Sequence, residues 1–170
     1  MADQTSSART HRRPSSQRGQ ALVEFALVSL AFFTVVFGIF DGARLFQSWV
    51  SVQHASREGA RYAITGRDDC DGITDDRPAC IAQTASEATT GLSDGGLGGS
   101  EVSVTFKKWD YPAYAGSGTA GDPGDPCDAV EVAVSYTHQF VFPVFQALAP
   151  SGVNLTGRQR MVNEPFGPCS

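Results

Sequence analysis

From Ala21 to Phe40 the chain runs through twenty residues of which only Glu24 is charged. No proline interrupts this block. It continues into "DGARLFQSWVSVQHASREGARYAITG", where apolar and small residues recur at three- and four-residue steps. Leu45, Trp49, Val52, Ala55, Gly59 and Tyr62 fall on one stripe of a helix, and Gly66 is its natural terminator. The pattern predicts a single helix of about forty-five residues, uniformly apolar at first and amphipathic after Phe40.

Beyond Gly66 the period changes. "RDDCDGITDDRPAC" is an acidic, turn-rich loop, Ile81 to Thr90 has the pattern of a short helix stopped by Gly91, and "GLSDGGLGG" is a linker. "EVSVTF" alternates through Val102, Val104 and Phe106. "AVEVAVSYTHQFVF" alternates through Val130, Val132, Val134 and Tyr136, so both predict half-buried strands. The Gly-, Pro- and Asp-rich stretch from Tyr111 to Asp128 predicts a long loop between them. "FPVFQALAP" reads as a hydrophobic turn or one turn of helix, and "VNLTGRQRMV" as a third strand weakened by Gly157. Three strands do not bury a hydrophobic face alone. The outer half of the long helix, with its Trp49–Tyr62 stripe, is the expected cover. The fold class is therefore α+β: a long N-terminal helix, half transmembrane and half exposed, packed on a small antiparallel β-sheet.

Charge gives this arrangement a topology. Residues 1–19 carry Arg9, Arg12, Arg13 and Arg18 against Asp3 alone, and from Arg67 onward six Lys and Arg face fourteen Asp and Glu. A basic head, an apolar block and an acidic remainder point to a membrane, not to nucleic acid. Twenty helical residues span about 30 Å, enough to cross a hydrocarbon core. The basic flank keeps the N-terminus cytoplasmic and the bulk of the chain outside. A removed secretory signal shares the basic and apolar segments. Against it, the block exceeds the usual ~7–15 residues, and "FDGA" puts Asp41 where signal peptidase wants a small residue. An uncleaved single-pass anchor is expected.

Cys70, Cys80, Cys127 and Cys169 all fall in the exported part and predict two disulfides, with three possible pairings. Cys70–Cys80 and Cys127–Cys169 is the favoured one. Without a C-x-x-C or a nearby His, zinc is not expected, and no cofactor is called for. Asp68, Asp69, Asp71, Asp75 and Asp76 are candidates for calcium but lack the EF-hand spacing and its closing Glu. On the helix, Arg44, Arg57 and Arg61 stand three or four residues from Asp41 and Glu58, as solvated surface pairs or as a surface that steers an acidic partner. Gly38 and Gly42 form a G-x-x-x-G, and Ala55, Gly59 and Ala63 a small-residue groove. That groove suits the protein's own sheet or a partner equally. His11, His54 and His138 are scattered, and no G-x-S-x-G, H-E-x-x-H or P-loop is present. An enzyme is not expected.

Glu24 is the informative charge. An acid at mid-bilayer costs ~2.5–3.5 kcal/mol on insertion scales and marks a functional position by default. Gly19 lies five residues before it. A cut after Gly19 would leave a free α-amino group on Gln20, about 6 Å of helix rise from Glu24. The carboxylate of a neighbouring helix would neutralise that amine at low dielectric and so set the axial register between packed helices.

Gly19, four residues and Glu24 resemble the class III signal of type IV pilins and pseudopilins. The longer set "ALVEFAL", "FGIFDGARLF" and "ASREGARYA", with "MVNEP" at Glu164, resembles the TadE-like pseudopilins of tight-adherence (Flp) pili. The resemblance implies a pilin-like fold and a minor, structural role in pilus assembly. It implies a basic leader, 1–19, cut by a prepilin peptidase between Gly19 and Gln20, with Glu24-Phe25 matching the family's acid-aromatic pair. It further implies a transmembrane half (20–42), an exposed half (43–66, the TadE-like region being 20–64) and an extracytoplasmic domain (67–170). Its partners would be the peptidase, other pilin or pseudopilin subunits and the inner-membrane assembly platform. The alternative is an unprocessed membrane anchor carrying an extracytoplasmic binding domain.

Overall fold

The computed structural model describes residues 16–89, 92 and 102–169. The first fifteen residues of the basic leader, His11 among them, and most of the Gly-rich linker lie outside the described residues. The elements in order are α1 (Ser16–Ala63), α2 (Arg77–Glu87), β1 (Ser103–Trp109), β2 (Thr119–Ala120), β3 (Ala129–His138), α3 (Pro143–Leu148) and β4 (Val153–Val162). The chain divides into two units, Met1–Phe37 and Gly38–Ser170. The long helix and the antiparallel sheet make the fold α+β, as the patterning predicts.

In the first unit α1 is apolar on every side. Leu22, Val23, Phe25, Leu27 and Val28 are all exposed, and the stretch has the length and composition of a membrane span, with none of its most apolar window buried. A helix hydrophobic all round belongs in a protein core or in lipid.

The second unit is built on a four-stranded antiparallel sheet in the order β2-β1-β3-β4. One strand more than predicted is present, because β2 pairs Thr119 and Ala120 with Lys108 and Lys107 from within the expected long loop. Alternation places Val130, Val132, Val134, Tyr136 and His138 of β3 on the face toward the helices, with Val104 and Phe106 beside them. Val52, Ala55, Ala60 and Ala63 of α1, with Ile81 and Ala85 of α2, complete the core. Each fully buried valine or isoleucine contributes roughly 1.5–3 kcal/mol.

The helix lies unusually near the sheet. A Cβ on Gly157 would sit 2.5 Å from the Val52 carbonyl oxygen, so the glycine that weakens β4 as a strand is what lets β4 touch the α1 backbone. This closeness corrects the predicted stripe. Trp49 is not part of the cover; it is 47% exposed, and the small Ser48 takes the buried position in its place. An indole would hold helix and sheet apart.

α2 also starts earlier than its hydrophobic pattern suggests. Asp76 caps it, Oδ1 accepting the Ala79 N–H at 3.0 Å, with proline in the first turn. It ends at Glu87, before Gly91. At the far end of α1, Gly66 has a left-handed φ of 69° and lies against the Phe166 ring, while Arg77 donates to the last α1 carbonyl, Ala63 O, at 2.6 Å and to Gly124 O. The helix C-terminus is thereby satisfied from outside. Cys70 is bonded to Cys80 and Cys127 to Cys169.

Candidate functional site

The residues singled out in sequence lie along α1, and the two units use them differently. Gly19, Gln20, Glu24 and Phe25 are exposed on the first unit's helix. α1 begins at Ser16, so the Gly19–Gln20 bond falls at the edge of its first turn. The N–H groups of the turn before it are those a helix start leaves without an intrahelical acceptor. Gln20 and Glu24 are one helical turn apart and share a face. Nothing lies within 4 Å of a Cβ built on Gly19.

In the second unit most of the small residues are already occupied. A Cβ on Gly59 would come within 3.0 Å of the Ala85 Cβ and 3.1 Å of Val132 Cγ1, while Ala55 and Ala63 are fully buried. The groove thus seats the protein's own sheet and α2. Gly38 is covered by α3, its Cβ position 3.0 Å from Phe145 Cζ, whereas Gly42 faces open space. Of the G-x-x-x-G pair only Gly42 is open to another helix.

Sequence reasoning missed the role of Asp41. It is 2% exposed and is not a solvated surface charge. Its Oδ2 accepts the Phe142 N–H at 3.1 Å and its Oδ1 the Val141 N–H at 3.3 Å, at the entrance to α3. About two turns further along α1, Ser48 Oγ lies 3.2 Å from Nδ1 of the buried His138. Burial pushes the His138 pKa down, the Arg44 guanidinium pushes it down further, and Asp41 pulls the other way. Of the expected surface pairs, Arg61 and Glu58 do meet, at 3.2 Å. On the solvent side of the same helix Phe46 and Trp49 stand exposed with ring centroids 5.9 Å apart.

The acidic residues serve the fold. Among the described residues no group of three or more His, Cys, Asp or Glu is arranged to hold a metal ion. Asp76 caps α2, and Asp69 Oδ1 accepts the Asp75 N–H. At the other end of the sheet Lys108 sits among Asp122, Asp110, Asp125 and Asp128, nearest to Asp122 at 3.1 Å. The bond to Asp122 holds the lysine pKa up against burial. For Asp122, burial alone would raise the pKa, but the Gly124 N–H and Lys108 together bring it below the usual carboxylate value.

Residues 19–61 match the TadE-like protein family. This segment of the chain is similar to TadE-like proteins. The matched segment opens on Gly19 and covers almost all of α1, taking in Glu24, Asp41 and Gly59 and leaving the sheet outside. The match supports a component associated with the Tad pilus. No curated protein and no solved structure matches the chain. The likeness therefore resides in the helix, and the sheet lies outside it.

Proposed function

We propose that this protein is a minor pseudopilin of Tad (Flp) pilus biogenesis. It is made as a precursor, inserted with its N-terminus cytoplasmic, and cut after Gly19 by a prepilin peptidase. The apolar half of α1 then packs against other pilin subunits or the inner-membrane assembly platform. Gln20 supplies the new α-amino group and Glu24 the carboxylate that fixes register, Phe25 standing beside it. The domain carrying Cys70–Cys80 and Cys127–Cys169 stays outside, where disulfides persist.

The observation that supports this reading is the conjunction on one helix of a family match beginning at Gly19 and a span exposed on all sides that carries a single acid. A lipid anchor alone has no use for Glu24, whereas an assembly helix does. No residue is assigned a catalytic role.

The test is maturation. The full-length precursor, co-expressed with a prepilin peptidase, should yield a protein whose N-terminal residue is Gln20, and Gly19→Ala should block that conversion. Equal maturation of the Gly19→Ala form would refute the cut site. A membrane form starting at Met1 or Ala2 would favour an unprocessed anchor bearing a binding domain. Glu24→Ala should insert normally but lose co-purification with partner pilins; undiminished co-purification would refute the register role.

A further inference from the structure

α3 and the corner that leads into it form an apolar surface that the domain does not cover. Leu148 is 78% and Val144 51% exposed, and Val141 beside them is exposed as well. The position of this surface is specific. α3 is pinned to α1 at two points, through Phe145 on Gly38 and through the Val141 and Phe142 N–H groups on Asp41. Gly38, Ile39 and Phe40 are the last residues of the twenty-residue apolar run, and Ile39 and Phe40 are themselves exposed. α3 therefore adjoins the end of the apolar run at Gly38.

Charge supplies an independent argument. From Val132 to Gly157 the chain contains no Asp, Glu, Lys or Arg. This stretch includes most of β3, all of α3 and the first half of β4, the parts nearest Asp41 and Ser48. The ionic groups gather at the opposite end of the sheet, where Lys108 meets its aspartates and Arg77 meets Ala63 and Gly124. Beside Gly38, Ile39 and Phe40 the domain thus carries only two charged groups, the buried Asp41 bound to the α3 entrance and the Arg44 near His138. A surface whose outward side chains are uncharged can approach a low-dielectric medium without stripping water from ions; a uniformly solvated domain has no need of one.

We infer that α3 rests in the outer interface of the bilayer that α1 enters. Val144 and Leu148 lie among headgroups and upper acyl carbons, as the apolar side of an interfacial segment does, and Asp41 sets their depth. The occupant of this face is lipid. The inference rests on the membrane-anchor reading above, and it adds a second lipid contact, through α3, to that of the apolar run.

The full chain, reconstituted into phosphatidylcholine–phosphatidylglycerol vesicles, allows a direct test. Single cysteines introduced as Leu148→Cys, Phe32→Cys and Asp110→Cys are each labelled with an environment-sensitive fluorophore, and quenching is measured with doxyl lipids of different depth. All three positions are exposed, so the substitutions leave the core intact. The Leu148 label should be blue-shifted and quenched most by shallow doxyl groups, the Phe32 label by deep ones, and the Asp110 label by neither. A water-like, unquenched Leu148 label beside a quenched Phe32 label would overturn the inference and leave the anchor standing. A blue-shifted Leu148 label that no doxyl lipid quenches would show protein on this face and would overturn it too. An unquenched Phe32 label would remove the anchor reading and the inference together.

Discussion

The carboxylate of Asp41 accepts the backbone N–H of Phe142 at 3.1 Å, across 101 positions of sequence. A residue inside the family-matched helix thereby holds the most apolar corner of a domain that the family match does not reach. The contact belongs to a short ladder between α1 and the end of β3, continued by Ser48 and His138. Together these contacts orient the sheet on the helix.

Removing that acceptor should be costly. Hydrogen bonds to a charged group are worth about 1.5–3 kcal/mol, and stranded donors add their own desolvation penalty. Asp41→Ala is expected to lose about 2–4 kcal/mol of domain stability, with Asp41→Asn in between. Urea unfolding in micelles measures the loss. Amide hydrogen exchange should accelerate first at Val141 and Phe142.

Gly157→Ala is expected to destabilise the domain, against the usual preference for alanine over glycine in a strand. The added methyl would meet the Val52 backbone carbonyl at 2.5 Å, and backbone cannot swing aside as a side chain does. Overpacking of this kind costs about 1–3 kcal/mol. Thermal unfolding of Gly157→Ala and Gly157→Val, with the valine worse, checks it.

His138 should make the domain acid-sensitive. Burial, reinforced by Arg44 and opposed by Asp41, lowers its pKa in the folded state. Tyr136 is the titratable neighbour on the same strand. The unfolded chain therefore takes up a proton near pH ~6.5 while the folded domain resists it. The stability contribution is complete above that pH and falls away as the pH drops below it. His138→Gln should flatten the profile between about pH 7 and 5; an unchanged slope in that variant would assign the acid sensitivity elsewhere.

The two disulfides should differ in weight. Their partners are separated by 10 and 42 positions. Loop-closure entropy assigns about 3 kcal/mol to the shorter loop and about 4 kcal/mol to the longer. Replacing Cys127 and Cys169 together by serine should lower the unfolding midpoint more than the same change at Cys70 and Cys80.

Much of the architecture is legible in one dimension, because local periodicity and burial coincide there. The apolar run to Phe40, the alternation of Val130, Val132, Val134 and Tyr136, and the helical steps through Val52, Ala55 and Gly59 each carry their element in their spacing. β2 escapes such reading, since two exposed residues on an edge strand have no pattern to display. The start of α2 escapes it as well: Asp76 marks it by capping chemistry, five residues before the hydrophobic rhythm begins at Ile81. Trp49 shows the limit of reading large apolar residues as buried ones. Both Ser48 and Trp49 can face a sheet, and the distance of closest approach between helix and sheet selects the smaller.

By itself the sequence determined the apolar block of spanning length, the basic-to-acidic polarity of the chain, the Gly19–Glu24 signature and the α+β class. Each of these is a matter of composition or short-range order. Only the tertiary structure decided that Ala55, Gly59 and Ala63 are taken by the protein's own core, that Gly42 is left open, and that Asp41 is a buried clasp instead of a surface charge. Those outcomes depend on which segments meet across a hundred residues. A carboxylate's role follows from the N–H groups placed before it, and here they come from a different part of the chain.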